Sequence, residues 1–111
     1  MKKQITNYEI ISKLEEIREL ILQVFSGVLS ESYKQKVVYD LLNIVQGGNK
    51  EKFLWVLLRL MNSKKGDSNT EKLMHLLNEL YILSLSEDVF KKWAYTVIME
   101  IMSVKTQQGG K

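Results

Sequence analysis

Few residues of this 111-residue chain are of the types that perform catalysis or hold a metal ion. Cysteine is absent and His75 is the only histidine, so neither HExxH nor CxxC spacing occurs. No GxSxG sequence frames a serine nucleophile. Because His75 lies between Met74 and Leu76, we expect a partly buried packing or hydrogen-bonding residue rather than a ligand. A pair among the 13 acidic residues could still meet in space, but we predict no enzymatic activity, no metal site and no cofactor.

The segment Gly47-Gly48-Asn49-Lys50 has two interpretations. Glycines before a helix N-terminus, with a lysine beside them, are typical of a phosphate cradle, because free amides and the helix dipole favour anions. However, the phosphate-loop pattern GxxxxGK followed by Ser or Thr is not met, and no strand precedes the turn. A helix stop followed by an Asn49 cap accounts for every residue. A contact to a nucleic-acid phosphate is the second interpretation.

Positive charge is concentrated in the middle of the chain, although the formal net charge is only +3. Residues 27–66 hold seven cations and three acids, whereas residues 9–26 hold two cations and four acids. Solvation of helix faces explains any single lysine, but together these lysines could form a patch that fits a phosphodiester backbone without sequence readout. Arg59 interrupts an apolar segment, so it either pairs with a buried acid or reaches outward to bind an anion.

The elements that must position these residues are helices. Proline is absent, and apolar residues recur at intervals of three and four without sustained alternation. Capping residues and glycines divide the chain into five segments, with capping boxes at residues 6–9 and 68–71. We therefore predict an all-α bundle of about five helices in one domain over residues 1–103, with a mobile tail over residues 104–111. The predicted starts are Thr6, Ser30, Asn49, Ser68 and Ser86, and the glycine stops are Gly27 and Gly47-Gly48.

The third helix, roughly residues 50–62, differs from the others because residues 53–58 are all apolar. A helix that is apolar all round is normally surrounded by others, so we predict that it is the central element of the bundle. Four aromatic residues of the third and fifth helices are expected in the core rather than as base-stacking platforms. These residues are Phe53, Trp55, Trp93 and Tyr95.

The order of these helices and their pattern of apolar and charged residues resemble those of a known protein family. The stretch NKEKFLWVLLRLMNSKK, a loop, a leucine-rich helix and then SEDVFKKWAYTVIMEIMS resembles the small all-helical subunits of CRISPR effector complexes, archaeal type I-A or type III-like. The resemblance spans roughly residues 30–103. It implies a non-catalytic subunit that lines the path of guide-paired or displaced RNA or DNA and contacts neighbouring subunits. Carried onto this chain, the candidate backbone contacts are Lys50, Lys52, Arg59, Lys64, Lys65, Lys91 and Lys92.

A helical protein-interaction module without nucleic-acid binding is the alternative hypothesis, for example an adaptor, a dimeric regulator or a virus-encoded inhibitor. The wide apolar stripe of the fifth helix and the near-heptad seam of the first exceed what a core of this size requires, so a homo-oligomer could also form. The longest apolar run, residues 53–61, contains Arg59 and is too short to span a membrane. Together with the absence of cysteine, this predicts a cytoplasmic protein.

Overall fold

The structure is a computed structural model that describes residues 7–62, 66–83 and 86–107. Within these ranges it contains five α-helices and no strand, so the all-α bundle is confirmed. None of the described helices is long and apolar enough to cross a membrane. The capping box predicted at Thr6 lies outside the described residues. The helices are α1 (Asn7–Phe25), α2 (Glu31–Gln46), α3 (Lys50–Met61), α4 (Ser68–Leu83) and α5 (Glu87–Ser103).

Three helices begin at the predicted capping residues. Ser30, Asn49 and Ser86 are the N-caps of α2, α3 and α5, and each side chain accepts a hydrogen bond from the backbone N–H three residues later. The predicted glycine stops are also confirmed, since Gly27 and Gly48 have positive φ angles of 72° and 73°. Local capping chemistry therefore sets the ends of these helices.

The start of α4 differs by one residue from the predicted capping box. Asp67 supplies the cap, because its Oδ2 accepts hydrogen bonds from the backbone N–H and the hydroxyl of Thr70 at 3.2 and 3.3 Å. Glu71 reaches back to the backbone N–H of Gly66 at 3.2 Å. A carboxylate binds N–H groups more strongly than a hydroxyl and is favoured by the helix dipole, which explains why Asp67 replaces Ser68 as the cap.

The principal helix contacts form a closed ring. Helix α1 packs against α4 and α5, α2 packs against α3 and α5, and α3 also packs against α4. An aromatic cluster inside the ring joins α3 to α5: Phe53, Phe90 and Trp93 are fully buried. Their rings meet edge to face with centroids 5.5 to 5.7 Å apart, an arrangement favoured by aromatic quadrupoles. The core predictions for Phe53 and Trp93 are therefore confirmed.

Helix α3 is one member of this ring, and the prediction that it is enclosed by other helices is not confirmed. A helix that packs against two main neighbours buries only part of its circumference. Phe53, Leu57 and Met61 are buried, but Trp55 is 62% exposed. The core predictions for Trp55 and Tyr95 are wrong, since both side chains lie at the surface.

The chain after α5 packs against the loop between α1 and α2, although we predicted a tail that begins at Val104. Val104 is buried. The backbone N–H of Gly27 donates to the carbonyl of Lys105 at 2.8 Å, and that of Gln107 donates to the carbonyl of Leu29 at 2.7 Å. These bonds satisfy backbone groups that the loop would otherwise leave unpaired. The packed domain therefore extends to Gln107, the last residue described.

Candidate nucleic-acid interface

One exposed face of α3 carries two of the predicted cations with an aromatic residue between them. Lys52, Trp55 and Arg59 are all exposed, and their spacing of three and four residues places them on one face. Neither Lys52 nor Arg59 has an ion-pair partner among the described residues. We call these three residues the α3 row. Lys52 and Arg59 are separated by about 10 Å along the helix, at 1.5 Å per residue.

Arg59 connects two adjoining surface depressions. A groove of about 360 Å³ between α2 and α3 is lined by Tyr33, Lys36 and Asp40 on one side and by Val56 and Arg59 on the other. A shallower depression of about 310 Å³ on α3 shares Val56 and Arg59 and extends along the α3 row to Asn49. The alternative in which Arg59 pairs with a buried acid is therefore wrong, because its side chain is exposed. The two depressions form one continuous surface.

Acidic residues reduce the positive charge of this surface. Lys36 lies 3.8 Å from Asp40, and both side chains are exposed. Glu51 lines the depression beside the α3 row. The surface thus holds three cations and two acids, and long-range attraction of a polyanion is correspondingly modest.

Lys50 and Lys91 are already engaged within the molecule. The Lys50 ammonium lies 5.9 Å from the centroid of the Tyr81 ring on α4, within the range of a cation–π interaction. Lys91 forms an ion pair with Glu87 at 3.1 Å, one turn earlier on α5. Neither lysine belongs to the α3 row, so the structure does not bring the predicted cations into one patch.

Lys92 lies on a different side of the bundle. It lines a cavity of about 370 Å³ between α1 and α5, together with Ile10 and Ile11. Lys64 and Lys65 lie outside the described residues. Lys52 and Arg59 are the two predicted contacts that lie on the exposed face of α3, with Trp55 between them.

Lys34 has a structural role that the sequence did not reveal. Its Nζ donates hydrogen bonds to the carbonyls of Met102 and Val104, at 3.0 and 3.2 Å, and its side chain is only 13% exposed. A cation at this position satisfies free carbonyls and interacts favourably with the C-terminal end of the α5 dipole. Lys34 therefore stabilises α5 and does not contribute to the basic surface that the middle segment predicts.

His75 is exposed, so the prediction that this packing or hydrogen-bonding residue is partly buried is wrong. Its side chain is 75% exposed, and its Nε2 lies 3.5 Å from one oxygen of Glu79. The other oxygen accepts a hydrogen bond from Lys13 at 2.9 Å. This hydrogen bond from Lys13 is the main reason that the pKa of Glu79 lies below its ordinary value. Burial acts in the opposite direction and raises the pKa, whereas the charges of Lys13 and His75 lower it further.

The described residues contain no group of three or more His, Asp or Glu side chains that could hold a metal ion. The chain also matches no protein-family model, no curated protein and no solved structure. Among the surfaces of the described residues, the α3 row combines two exposed cations with the exposed indole of Trp55.

Proposed function

We propose that this protein is a non-catalytic, cytoplasmic subunit of a larger ribonucleoprotein that contacts the backbone of single-stranded RNA or DNA. Its sequence resembles the small all-helical subunits of CRISPR effector complexes, and we propose that it belongs to such a complex. The observation that supports nucleic-acid binding is the α3 row, in which exposed Trp55 lies between Lys52 and Arg59. Neighbouring protein subunits are the other proposed partners.

The chemistry of the α3 row favours a single strand over a duplex. An exposed indole offers a face on which an unpaired base can stack, and this contact contributes about 1–3 kcal/mol per base. Bases inside a duplex are already stacked and do not present a free face. Lys52 and Arg59, on either side of Trp55, can contact phosphates of a strand that lies along α3. The groove beside Arg59 adds Lys36 and the exposed ring of Tyr33.

Binding by the isolated chain should be weak and sensitive to salt. If Lys36, Lys52 and Arg59 each neutralise one phosphate, the slope of log K against log salt is about −2, at about −0.7 per contact on a single strand. The two acids on the same surface oppose binding. Much of the affinity in the cell would then come from the other subunits of the assembly.

A titration with labelled oligonucleotides tests this proposal. We expect a single strand of about 16 nucleotides to bind more tightly than a duplex of the same sequence, and to be released between about 50 and 200 mM salt. Arg59→Ala and Lys52→Ala should each reduce the salt slope by about 0.7. Trp55→Ala should weaken binding at least about fivefold and leave the slope unchanged.

Lys92→Ala is the matched control, because Lys92 is an exposed lysine on the α1–α5 side of the bundle. Its binding should equal that of the unmodified chain. Absence of binding at low salt, or an equal loss in Lys92→Ala and Lys52→Ala, would contradict the proposed role of the α3 row. Equal affinity for duplex and single strand would contradict the proposed stacking on Trp55.

A protein-interaction module is the second candidate function, and a different surface supports it. Tyr39 on α2 and Met99 and Met102 on α5 are exposed apolar side chains that no described helix covers. Exposed apolar area of this kind is typical of a protein-binding surface. The two functions can be separated by co-purification of the tagged chain with its native assembly. Arg59→Ala should remain in the assembly if apolar contacts hold it, and Met99→Lys should be lost from it.

A further inference from the structure

The groove between α2 and α3 meets the α3 row at Val56. Both Val56 and Arg59 line the groove of about 360 Å³ and also the depression of about 310 Å³ that contains Trp55. Val56 is half-buried, so its side chain is an apolar floor that the two depressions share. Asp40 of α2 lines the opposite side of the groove. An aromatic face, an apolar floor and a carboxylate therefore follow one another from α3 to α2.

The short turn between α2 and α3 places Asp40 and Val56 at the same level of the bundle. The two helices pack against each other and the chain reverses between them, so they run in opposite directions. Asp40 lies six residues before Gln46, the last residue of α2, and Val56 lies six residues after Lys50, the first residue of α3. Packed helices have axes about 8–10 Å apart, which is about the length of one nucleoside. One nucleotide can therefore extend from the α3 row to Asp40.

The carboxylate of Asp40 is able to accept a hydrogen bond from a ligand. Its side chain is 51% exposed, and its ion pair with Lys36 has a separation of 3.8 Å, which is longer than a hydrogen bond. A carboxylate is purely an acceptor, and it repels the phosphates of a nucleic acid. The ribose 2′-hydroxyl is a donor that every RNA nucleotide carries and every DNA nucleotide lacks. RNA can therefore offset the repulsion by Asp40 with a hydrogen bond, whereas DNA cannot.

We propose that Asp40 accepts a hydrogen bond from the 2′-hydroxyl of the nucleotide whose base stacks on Trp55, so that the protein binds single-stranded RNA in preference to DNA. This inference rests on the proposed binding of a single strand by the α3 row. The ribose lies over Val56, and an adjoining phosphate contacts Arg59, which lines both depressions. Acidic side chains bind ribose hydroxyls in the same way in dinucleotide-binding folds. If Asp40 served only as the helical partner of Lys36, its removal would not change the relative affinity for RNA and DNA.

Paired titrations with uridine strands test this inference, because oligouridylate and oligodeoxyuridylate of equal length differ only at the 2′ position. At about 50 mM salt, we expect the RNA strand to bind about fivefold more tightly than the DNA strand. Asp40→Ala should bring this ratio close to one, because it removes the acceptor, and should strengthen DNA binding, because it removes a negative charge. A 2′-O-methyl strand lacks the hydroxyl donor, so it should bind the unmodified chain no more tightly than DNA does.

Glu51→Ala is the matched control, because Glu51 is an exposed acid that lines the depression along the α3 row and not the α2–α3 groove. It should strengthen the binding of both strands equally and leave the RNA-to-DNA ratio unchanged. Equal affinity for RNA and DNA in the unmodified chain would overturn the inference, as would a preference that Asp40→Ala leaves intact or that Glu51→Ala also removes. If Trp55→Ala still weakens binding in those cases, the proposed function stands and only the recognition of the sugar is wrong. Absence of binding by either strand at low salt would overturn both.

Discussion

Gly48 offers a sharp test of the packing between the α2–α3 turn and α5. Its φ angle is 73°, and a Cβ atom at this position would lie 2.8 Å from Oε2 of Glu87. Gly27 provides a natural comparison, since its φ angle is 72° but a Cβ atom there would meet no atom within 4 Å. Alanine at Gly27 is therefore subject to backbone strain alone, whereas alanine at Gly48 also displaces Glu87 from its ion pair with Lys91.

The two costs can be estimated separately. A non-glycine residue in the left-handed region costs about 1–2 kcal/mol, and this applies equally to Gly27→Ala and Gly48→Ala. The additional cost at Gly48 is about 0.2–1 kcal/mol, because Glu87 is exposed and flexible and its ion pair is weak. At about 4 °C per kcal/mol for a domain of this size, Gly27→Ala should lower Tm by roughly 4–8 °C, and Gly48→Ala should lower it by a further 1–4 °C or so.

Urea and thermal unfolding monitored by circular dichroism measure both costs. The decisive comparison is Gly48→Ala in a Glu87→Ala background, where the displaced carboxylate is absent. There the cost of Gly48→Ala should fall to that of Gly27→Ala. Equal costs for both glycines in the unmodified chain, or an excess at Gly48 that persists without Glu87, would refute the proposed contact.

Three further substitutions test other parts of the fold. Phe53→Ala should reduce the free energy of unfolding by about 3–5 kcal/mol in urea titrations, because it empties a fully buried site and removes two edge-to-face contacts. Lys34→Met should cost about 1 kcal/mol through loss of the α5 carbonyl bonds, whereas Lys36→Met, at an exposed position, should have little effect on Tm. Because the folded-state pKa of Glu79 is lowered, its contribution to stability is present above its ordinary pKa of 4.5 and is lost as pH falls through the folded value. Glu79→Gln should therefore make the acid side of the stability–pH profile shallower, and an unchanged profile would contradict the role assigned to its hydrogen bond with Lys13.

Local signals in the sequence were sufficient for most helix boundaries. The caps at Ser30, Asn49 and Ser86 accept hydrogen bonds from backbone N–H groups three residues later, so they can be predicted from residues that are close in the sequence. The start of α4 differed because two capping arrangements one residue apart compete there. Asp67 prevails because its carboxylate is the stronger acceptor.

Which apolar side chains of a helix are exposed depends on how the helices pack against one another. Residues 53–58 are apolar throughout, so the run itself does not reveal which side faces the core. A helical projection would have helped: at 100° per residue, Trp55 lies within about 60° of both Lys52 and Arg59 and far from Leu57. The polar neighbours on that face were thus the available signal that Trp55 is exposed.

Long-range pairs could not be predicted from spacing. Lys34 binds carbonyls that are 68 and 70 residues later in the chain, and Lys13 binds Glu79 at a separation of 66 residues. Each pair depends on which helices become neighbours in the ring. For this reason the basic middle segment predicted one patch, whereas among the described lysines Lys34 binds the end of α5, Lys50 lies beside Tyr81 of α4 and Lys52 lies on the exposed face of α3.

Intrinsic fluorescence gives the most direct test of nucleic-acid binding by the α3 row. The chain has two tryptophans; Trp93 is fully buried and Trp55 is 62% exposed, so Trp55 alone can stack on an added base. We predict that a single-stranded oligonucleotide quenches the fluorescence at low salt, that added salt reverses the quenching, and that Trp55→Phe abolishes it. No quenching at low salt, or equal quenching in Trp55→Phe, would contradict the proposed function.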